Sequence, residues 1–225
     1  DAHKSAKLTS VEVGEQTRKG VSVEVKMLLT EKKIPYNIVY NIQNDGSLKI
    51  MSKINLENMD LPELPRFGMR MVMANDLDKL EYYGRGPWEN YSDRNSSAFI
   101  GIHQSSVDDQ FTWEYIRPQE NGYKSDVRWL KLIDEHGSGI KIKGGQPIGF
   151  SALNVSTESL DAGLTKKQRH TSDIQPENKV FLHIDYKQRG VGGDNSWGAL
   201  PHKKYRLLDD VYSYNYTIQL LKGHN

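Results

Sequence analysis

The residues that could do chemistry lie in one glycine-rich stretch and among scattered carboxylates. Gly190-Val191-Gly192-Gly193 has enough glycine to cradle a phosphate. Neither nucleotide-binding fingerprint is met, because no Lys-Ser/Thr follows and no predicted helix begins there. The sequence also contains no Gly-x-Ser-x-Gly elbow for a serine nucleophile. Carboxylates are plentiful, but their positions in the sequence do not distinguish one pair as a general acid and a nucleophile.

Metal ligation is also poorly supported by the sequence. Asp1-Ala2-His3 could bind Cu²⁺ or Ni²⁺ if Asp1 carries a free amine, but this arrangement depends on where the chain was cut. The seven histidines occur singly, whereas a catalytic zinc needs two histidines at helical spacing plus a carboxylate. There is no cysteine, which excludes disulfides and thiolate sites. We therefore expect no metal and no cofactor in this chain.

The elements that must position these residues are β-strands, because the dominant period along the chain is two. Val21, Val23 and Val25 alternate with polar residues, as in a half-buried strand. Further strands are predicted at Tyr36–Ile42, Leu48–Leu56, Phe67–Met73, Leu80–Tyr83, Val127–Ile133, Gly139–Ile142, Ile148–Leu153, Val180–Tyr186 and Val211–Leu221. Turns are predicted at Asn44-Asp45-Gly46, Glu135-His136-Gly137 and Gly144-Gly145. The pattern predicts a large antiparallel β-sandwich that forms a single domain over residues 1–225.

One helix and one aromatic face complete these expectations. Ser156 or Thr157 could cap the helix, with Leu160 and Leu164 on one of its faces. The last predicted strand carries three tyrosines on one side, which we expect to pack on a sheet face. They are Tyr212, Tyr214 and Tyr216.

Composition narrows the functional classes. The chain has 225 residues, 36% of them apolar and 26% charged, with a formal net charge of +1. This balance favours a globular protein, with no affinity for nucleic acid or anionic membranes. No apolar run reaches the roughly 18 residues of a membrane span, so we expect a soluble protein. The start is not a signal peptide, and its lack of methionine favours a mature or excised segment.

Three stretches combine polar and aromatic residues with glycine or proline. They are Tyr83–Arg94 (YGRGPWENYSDR), Arg117–Gly122 (RPQENG) and Gly190–Trp197 (GVGGDNSW). In this order they closely resemble the C-terminal small-chain domain of the large bacterial β-galactosidases of glycoside hydrolase family 2. Leu64–Gly68 (LPRFG) matches the start of that domain. The resemblance extends from about Leu8 to Leu221.

This resemblance implies a galactose mutarotase-like supersandwich and a division of labour. In that family the acid/base and nucleophile glutamates lie on an upstream (β/α)₈ barrel, so no catalytic residue is expected here. The small-chain domain leans over the barrel mouth and supplies a tryptophan to the galactoside pocket, by position Trp197. The implied partners are the β-galactoside and the barrel, in a parent enzyme that is a candidate homo-oligomer. Any metal ions of the parent enzyme are expected in its other parts. The resemblance is consistent with either a cytoplasmic or a periplasmic location.

The implied role of Trp197 is physically reasonable. Galactose has an apolar face of C–H groups, against which an indole ring can stack. The alternative is an ordinary core tryptophan, which a polar glycine-rich loop disfavours. Asp194 and Asn195 either form hydrogen bonds with sugar hydroxyls or hold the loop. The glycines allow the backbone to turn sharply and to approach its neighbours closely.

The other polar residues of the resembling segments are expected to be structural. In the first segment an elaborate turn tied by an Arg–carboxylate pair is predicted. Its members are Arg85, Glu89, Asn90, Asp93 and Arg94. Glu120 and Asn121 are expected to order a loop or to reach the barrel. Gln188 and Arg189 differ from the residues at these positions in the best-known member of the family. The resemblance therefore does not define which residues form the wall of the pocket.

Two alternatives remain. A free-standing carbohydrate-binding module would bind galactosides without a partner, whereas one tryptophan of a shared pocket would bind them very weakly. A mutarotase or epimerase is suggested by fold analogy alone, and the His-Pro motif of mutarotases is missing from the sequence. If the chain is an accessory domain, the surface around Trp197 should be apolar and exposed. A uniformly charged surface there would count against this interpretation.

Overall fold

Alternating buried and exposed side chains explain why this chain forms strands. The computed structural model describes residues 5–161, 163, 169–195 and 197–223. Between Leu48 and Asn55, Ile50 and Ile54 are buried whereas Met51 is exposed. A strand with this pattern has one face in the core and the other in solvent. The predicted period of two therefore corresponds to real burial.

The regular structure of the described residues consists of strands, one short α-helix and three short 3₁₀ helices. The strands are β1 (Lys7–Val13), β2 (Gly20–Leu29), β3 (Ile34–Gln43), β4 (Leu48–Asn55), β5 (Arg66–Met73), β6 (Lys79–Gly86), β7 (Phe99–Ser106), β8 (Lys124–Ile133), β9 (Gly139–Leu153), β10 (Val180–Gln188) and β11 (Val211–Leu221). Helix α1 comprises Thr157–Leu160, and its predicted cap Ser156 is confirmed, since its side chain accepts from the Ser159 amide. Leu164, predicted on the same helical face, lies outside the described residues.

The strands form one antiparallel sheet that branches at β9. The order is β1-β2-β3-β4-β11-β9-β8-β6-β7, and β10 joins β9 to β5. The first part of β9, Gly139–Gly144, pairs with β11, and its last part, Gly149–Leu153, pairs with β10. The β5–β10 pair therefore leaves the main sheet as a separate arm.

Aromatic packing between this arm and the main sheet creates the core. The ring centroid of Phe67 on β5 lies 6.4 Å from that of Tyr36 on β3 and 5.4 Å from that of Tyr214 on β11. The Tyr214 hydroxyl donates to the Ile184 carbonyl of β10 at 2.9 Å. The side chains of the three tyrosines of β11 are all buried, which confirms that they pack on a sheet face. The predicted all-β antiparallel sandwich is confirmed by this arrangement.

The sequence pattern was wrong at Gly144-Gly145, where a turn was predicted. The predicted strands Gly139–Ile142 and Ile148–Leu153 are the two parts of the single strand β9. A Cβ on Gly144 would lie 2.2 Å from the Gln146 carbonyl oxygen, and one on Gly145 would lie 2.2 Å from Asn215 Oδ1. The two glycines thus permit close contacts, one within β9 and one with β11, and do not end the strand.

A smaller apolar cluster lies beneath α1. It consists of Phe111, Leu153, Val155, Leu160 and Ile174.

No helix among the described residues has the length and apolar character required to cross a bilayer. The assignment of residues 1–225 to a single domain stays a prediction.

Candidate functional site

The predicted tryptophan lies on a loop with a fixed base. This Trp197 loop, Gly190–Tyr205, follows β10, and its ends meet because the Gly190 amide donates to the Tyr205 carbonyl at 2.7 Å. The preceding residue is also fixed, since the Arg189 amide donates to the Pro65 carbonyl at 2.9 Å. A loop whose ends are joined in this way projects as a unit from the sheet. Ser196 lies outside the described residues.

Trp197 itself points away from the core. Its side chain is 94% exposed, which excludes the ordinary core tryptophan that was considered as its alternative. An exposed indole leaves a large apolar surface in water, and burial of such surface is favourable by about 25 cal/mol per Å². The residue is therefore available to a ligand or to another protein surface.

Asp194 and Asn195 both make contacts within the loop. Asn195 Oδ1 accepts from the Trp197 amide at 2.8 Å, and Asp194 Oδ1 lies 3.1 Å from His202 Nε2. These contacts shape the loop around Trp197, as the structural interpretation of both residues predicts. Both residues nevertheless remain exposed. His202, which reaches Asp194 from the returning half of the loop, was not predicted as a member of the site.

Close backbone approach explains two of the glycines. A Cβ on Gly190 would lie 2.4 Å from Asp93 Oδ2, and one on Gly193 would lie 2.2 Å from the Ala199 carbonyl oxygen. The Gly192 amide donates to Asp93 Oδ2 at 2.9 Å. The predicted close approach is confirmed, and it joins the first resembling segment to the third.

Glu89 joins the first segment to the second. Its carboxylate accepts from the Thr112 hydroxyl at 2.7 Å, from the Tyr115 hydroxyl at 2.7 Å and from the Gly122 amide at 3.0 Å. Burial and the Glu89 carboxylate raise the pKa of Tyr115, which keeps its hydroxyl a donor. Arg94 Nη1 lies 3.5 Å from Glu89 Oε1, which forms the predicted Arg–carboxylate pair within this segment.

Two buried asparagines complete these turns. Asn90 Oδ1 accepts from the Ser125 amide and hydroxyl at 3.1 and 2.6 Å. Asn121 Oδ1 accepts from the Thr112 amide at 2.8 Å, and its Nδ2 donates to the Tyr115 carbonyl at 3.1 Å. The prediction that these residues order loops is confirmed. Arg85 also forms an Arg–carboxylate pair, 2.6 Å from Asp126, a residue outside its own segment.

Arg66 of the LPRFG segment links the remaining pieces. Its Nη2 donates both to the Gln119 carbonyl at 2.6 Å and to Gln188 Oε1 at 3.1 Å. Gln119 in turn donates through Nε2 to the Arg189 carbonyl at 3.1 Å. The four segments that carry the family resemblance therefore form one connected network. Arg189 is also paired with Glu63 at 2.9 Å, which gives this departure from the family pattern a structural role.

Several ionisable groups are buried in this network. Arg66 Nε lies 3.1 Å from Asp185 Oδ2 as an ion pair that lacks hydrogen-bond alignment. Burial raises the pKa of Asp185 to about 6, although the Arg66 charge opposes this shift. Burial lowers the pKa of Lys124, which donates to the Gly122 carbonyl, to about 8. Burial also raises the pKa of Glu120.

Two cavities lie against the base of the Trp197 loop. The smaller, of about 300 Å³, is lined by Asp93, Gly192, Gly193, Asp194, His202, Lys204 and Tyr205. The larger, of about 520 Å³, shares Lys204 and Tyr205 with it and is also lined by Tyr186 and Gln188. In the described part of the chain, no group of three or more His, Asp or Glu is placed to hold a metal. The Asp1-Ala2-His3 sequence lies outside that part.

Comparison with known families identifies the chain. Residues 1–220 match the β-galactosidase small chain family. The chain belongs to this family. The small-chain resemblance of the four segments is thereby confirmed, and these segments are the ones that Arg66, Glu89 and Asp93 join.

Curated relatives carry the small-chain sequence within much longer proteins. A β-galactosidase of Priestia megaterium is 36% identical over 202 residues, which are 89% of this chain and 19% of the relative. A β-galactosidase of Alteromonas mediterranea is 33% identical over 80% of this chain and 16% of the relative. The chain thus spans less than a fifth of the length of these relatives.

A solved structure also aligns with the small-chain fold. It is a galactose mutarotase related enzyme from Lactobacillus acidophilus, with a TM-score of 0.47 and 10% identity. The alignment covers 96% of this chain and 73% of that chain.

Proposed function

We propose that this chain is the C-terminal part of a β-galactosidase that hydrolyses terminal β-D-galactosides. The acid/base and nucleophile glutamates lie on a (β/α)₈ barrel elsewhere in the enzyme, and Trp197 completes the sugar pocket. Family membership supports the proposal, because the named relatives are β-galactosidases that contain this region as a small part.

The observation that carries the proposal is the exposure of Trp197 on an anchored loop. A side chain that is 94% exposed has no packing role within this chain. An indole face matches the apolar C–H face of galactose, and stacking there excludes water from both surfaces. Asp194 and Asn195 are exposed beside it and can form hydrogen bonds with the hydroxyls at the edge of the sugar ring.

The surface around Trp197 suits contact with a second protein surface. Leu200, on the same loop, is 51% exposed. The loop therefore presents apolar surface beside its Asp194–His202 pair and is not uniformly charged. Exposed apolar side chains ringed by polar ones are typical of interaction sites. We infer that the catalytic part of the enzyme covers this loop.

Two carboxylates of the network, Glu89 and Asp185, have partners within the chain, which agrees with catalysis elsewhere. Asp185 is paired with Arg66. Glu89 accepts three hydrogen bonds from Thr112, Tyr115 and Gly122. The acceptor positions of Glu89 are thus occupied by fixed donors, and such a carboxylate is poorly available to attack a glycosidic carbon or to protonate a leaving group. Asp185 is fully buried, so a substrate does not reach it.

Hydrolysis of a chromogenic β-galactoside tests the proposal. We expect no turnover by this chain alone, and turnover after addition of the Priestia megaterium relative truncated before its small-chain region. Genuine turnover by this chain alone, abolished by mutation of one of its own carboxylates, would overturn the proposal.

Substitutions in the assembled enzyme test the sugar contact. Trp197→Ala should lower kcat/KM by about tenfold or more, because one good aromatic contact contributes on this scale. Trp88→Ala is the matched control, since Trp88 is 74% exposed and lies outside the loop. Equal effects of the two substitutions would contradict a sugar contact by Trp197.

A free-standing carbohydrate-binding module is the second candidate, because an exposed tryptophan would serve it equally well. Titration of galactose and lactose into this chain, followed by amide chemical shifts, separates the two. A module binds without a partner and shows saturable shifts at residues 190–200. The small-chain proposal predicts negligible shifts, since most contacts of a shared pocket are then missing.

A further inference from the structure

Asp93 lies at the tip of a rigid turn outside the Trp197 loop. The Tyr91 amide donates to the Arg94 carbonyl at 3.2 Å, and the Arg94 amide donates back to the Tyr91 carbonyl at 2.8 Å. Arg94 Nη1 also donates to the Tyr91 hydroxyl at 2.9 Å. The turn follows directly on the buried Asn90, so its position is tied to the sheet.

The Asp93 carboxylate contacts the first part of the loop at two points. Oδ2 accepts from the Gly192 amide at 2.9 Å and occupies the space that a side chain on Gly190 would need. Oδ1 is buried and has no hydrogen-bond partner among the described residues. The contact to Gly192 is charge-assisted, and such hydrogen bonds are roughly twice as strong as neutral ones.

A short, internally tied segment connects this contact to the indole. Gly193 packs against the Ala199 carbonyl, and Asp194 is paired with His202. Asn195 Oδ1 accepts from the Trp197 amide. These contacts link the backbone of Gly192 to that of Trp197, so we expect a displacement of Gly192 to displace Trp197 as well.

We propose that Asp93 is a positioning residue that holds the Trp197 loop where its indole meets the sugar. The proposal rests on the proposed function of Trp197. The sequence predicted only that Asp93 is part of the turn in the YGRGPWENYSDR segment. The proposal adds that Asp93 also holds a second loop. Asp93 acts through the loop backbone and does not itself touch substrate.

Kinetics of the assembled enzyme provide the first test. Asp93→Ala removes the acceptor and should raise KM about tenfold with kcat little changed, as expected when substrate and transition state lose the same contact. Asp93→Asn keeps an oxygen acceptor of the same size and should recover most of the loss. Asp76→Ala, at an exposed aspartate without a role in the loop, is the control.

A double-mutant cycle distinguishes positioning from general structural support. The double variant Asp93→Ala/Trp197→Ala should behave like Trp197→Ala alone, because the loop has no further indole to position. Multiplicative effects of the two substitutions would overturn the proposal. So would an Asp93→Ala effect that Asp93→Asn does not relieve.

Hydrogen exchange on this chain without a partner tests whether Asp93 holds the loop, independently of the proposed function of Trp197. Asp93→Ala should accelerate amide exchange at residues 190–197 about tenfold or more, while exchange in β10 and β11 stays the same. Unchanged loop exchange would overturn the positioning role. If Trp197→Ala leaves KM unaltered, the proposed function of Trp197 fails, and Asp93 then has no effect on substrate binding through it. Faster loop exchange in Asp93→Ala would still establish that Asp93 holds the loop.

Discussion

Arg66 Nη1 lies 3.0 Å from Nδ1 of His183. A guanidinium can only donate, so Nδ1 accepts and carries no proton. The imidazole is therefore neutral, with its proton on Nε2, 3.5 Å from the Thr157 hydroxyl. Burial, together with the charges of Arg66 and Arg70, lowers the pKa of His183 to about 3.

This neutral histidine predicts a loss of stability at mildly acid pH. An unfolded histidine titrates near 6.5, so between pH 7 and 5 the unfolded chain gains a proton that the folded chain does not. The contribution of His183 is fully present above pH 6.5 and falls as the pH is lowered. Relative to His183→Gln, the wild type should lose about 2 kcal/mol of unfolding free energy between pH 7 and 5.

The comparison with the variant is needed because Asp185 acts in the opposite direction. Its pKa is raised to about 6, so between pH 6 and 4 the folded chain binds a proton that the unfolded chain lacks, and stability rises as the pH falls. This contribution is common to wild type and variant. Chemical denaturation at both pH values measures the difference, and a His183 Cε1 proton that titrates between pH 7 and 5 would disprove the argument.

Most strands were predictable from the sequence, but β1 and β7, the two ends of the main sheet, were not. The predicted runs correspond to strands with a buried face, such as β4 and β11. None of the side chains of β1 or β7 is fully buried, and Phe99 on β7 is 76% exposed. A strand with no face in the core shows no apolar alternation, and its pairing is decided by the neighbouring strand.

Glu89 should be intolerant of neutralisation, because three groups donate to its carboxylate. Glu89→Gln replaces one acceptor oxygen by an NH₂ group that faces a donor, either the Tyr115 hydroxyl or Thr112 and Gly122. We expect a loss of about 2 kcal/mol of unfolding free energy, since a buried donor is left unsatisfied. Thermal or urea unfolding measures it.

Glu114→Gln is the matched control for this substitution. Glu114 is exposed in the loop that carries Thr112 and Tyr115, and a surface change of this kind should stay within about 0.5 kcal/mol. If the two variants were equally stable, the carboxylate of Glu89 would not organise the turn.

The candidate site was only partly predictable from the sequence. Trp197 and the glycines before it were identifiable from residue type and resemblance, and the structure places them on one loop. The contact of Asp93 with Gly192 was not identifiable, because it joins residues 99 positions apart. Such a contact depends on how strands are ordered in space, and periodicity reports only local structure. His202 was missed for a related reason, since a single histidine in a loop has no distinguishing pattern.

The two glycines beside Asp93 should differ sharply in their tolerance of a methyl group. A Cβ on Gly190 would lie 2.4 Å from Asp93 Oδ2 and 2.9 Å from the Tyr205 Cβ, whereas one on Gly192 would meet nothing closer than Asp93 Oδ2 at 3.5 Å. Gly190→Ala should therefore displace either the loop or the Asp93 turn and lower the unfolding free energy by about 1–3 kcal/mol. Gly192→Ala should leave stability nearly unchanged. Urea unfolding compares the variants, and hydrogen exchange at residues 190–197 should accelerate for Gly190→Ala alone. Equal stability and equal exchange in the two variants would show that the carboxylate can move away, and that the loop is not held by its contact with Asp93.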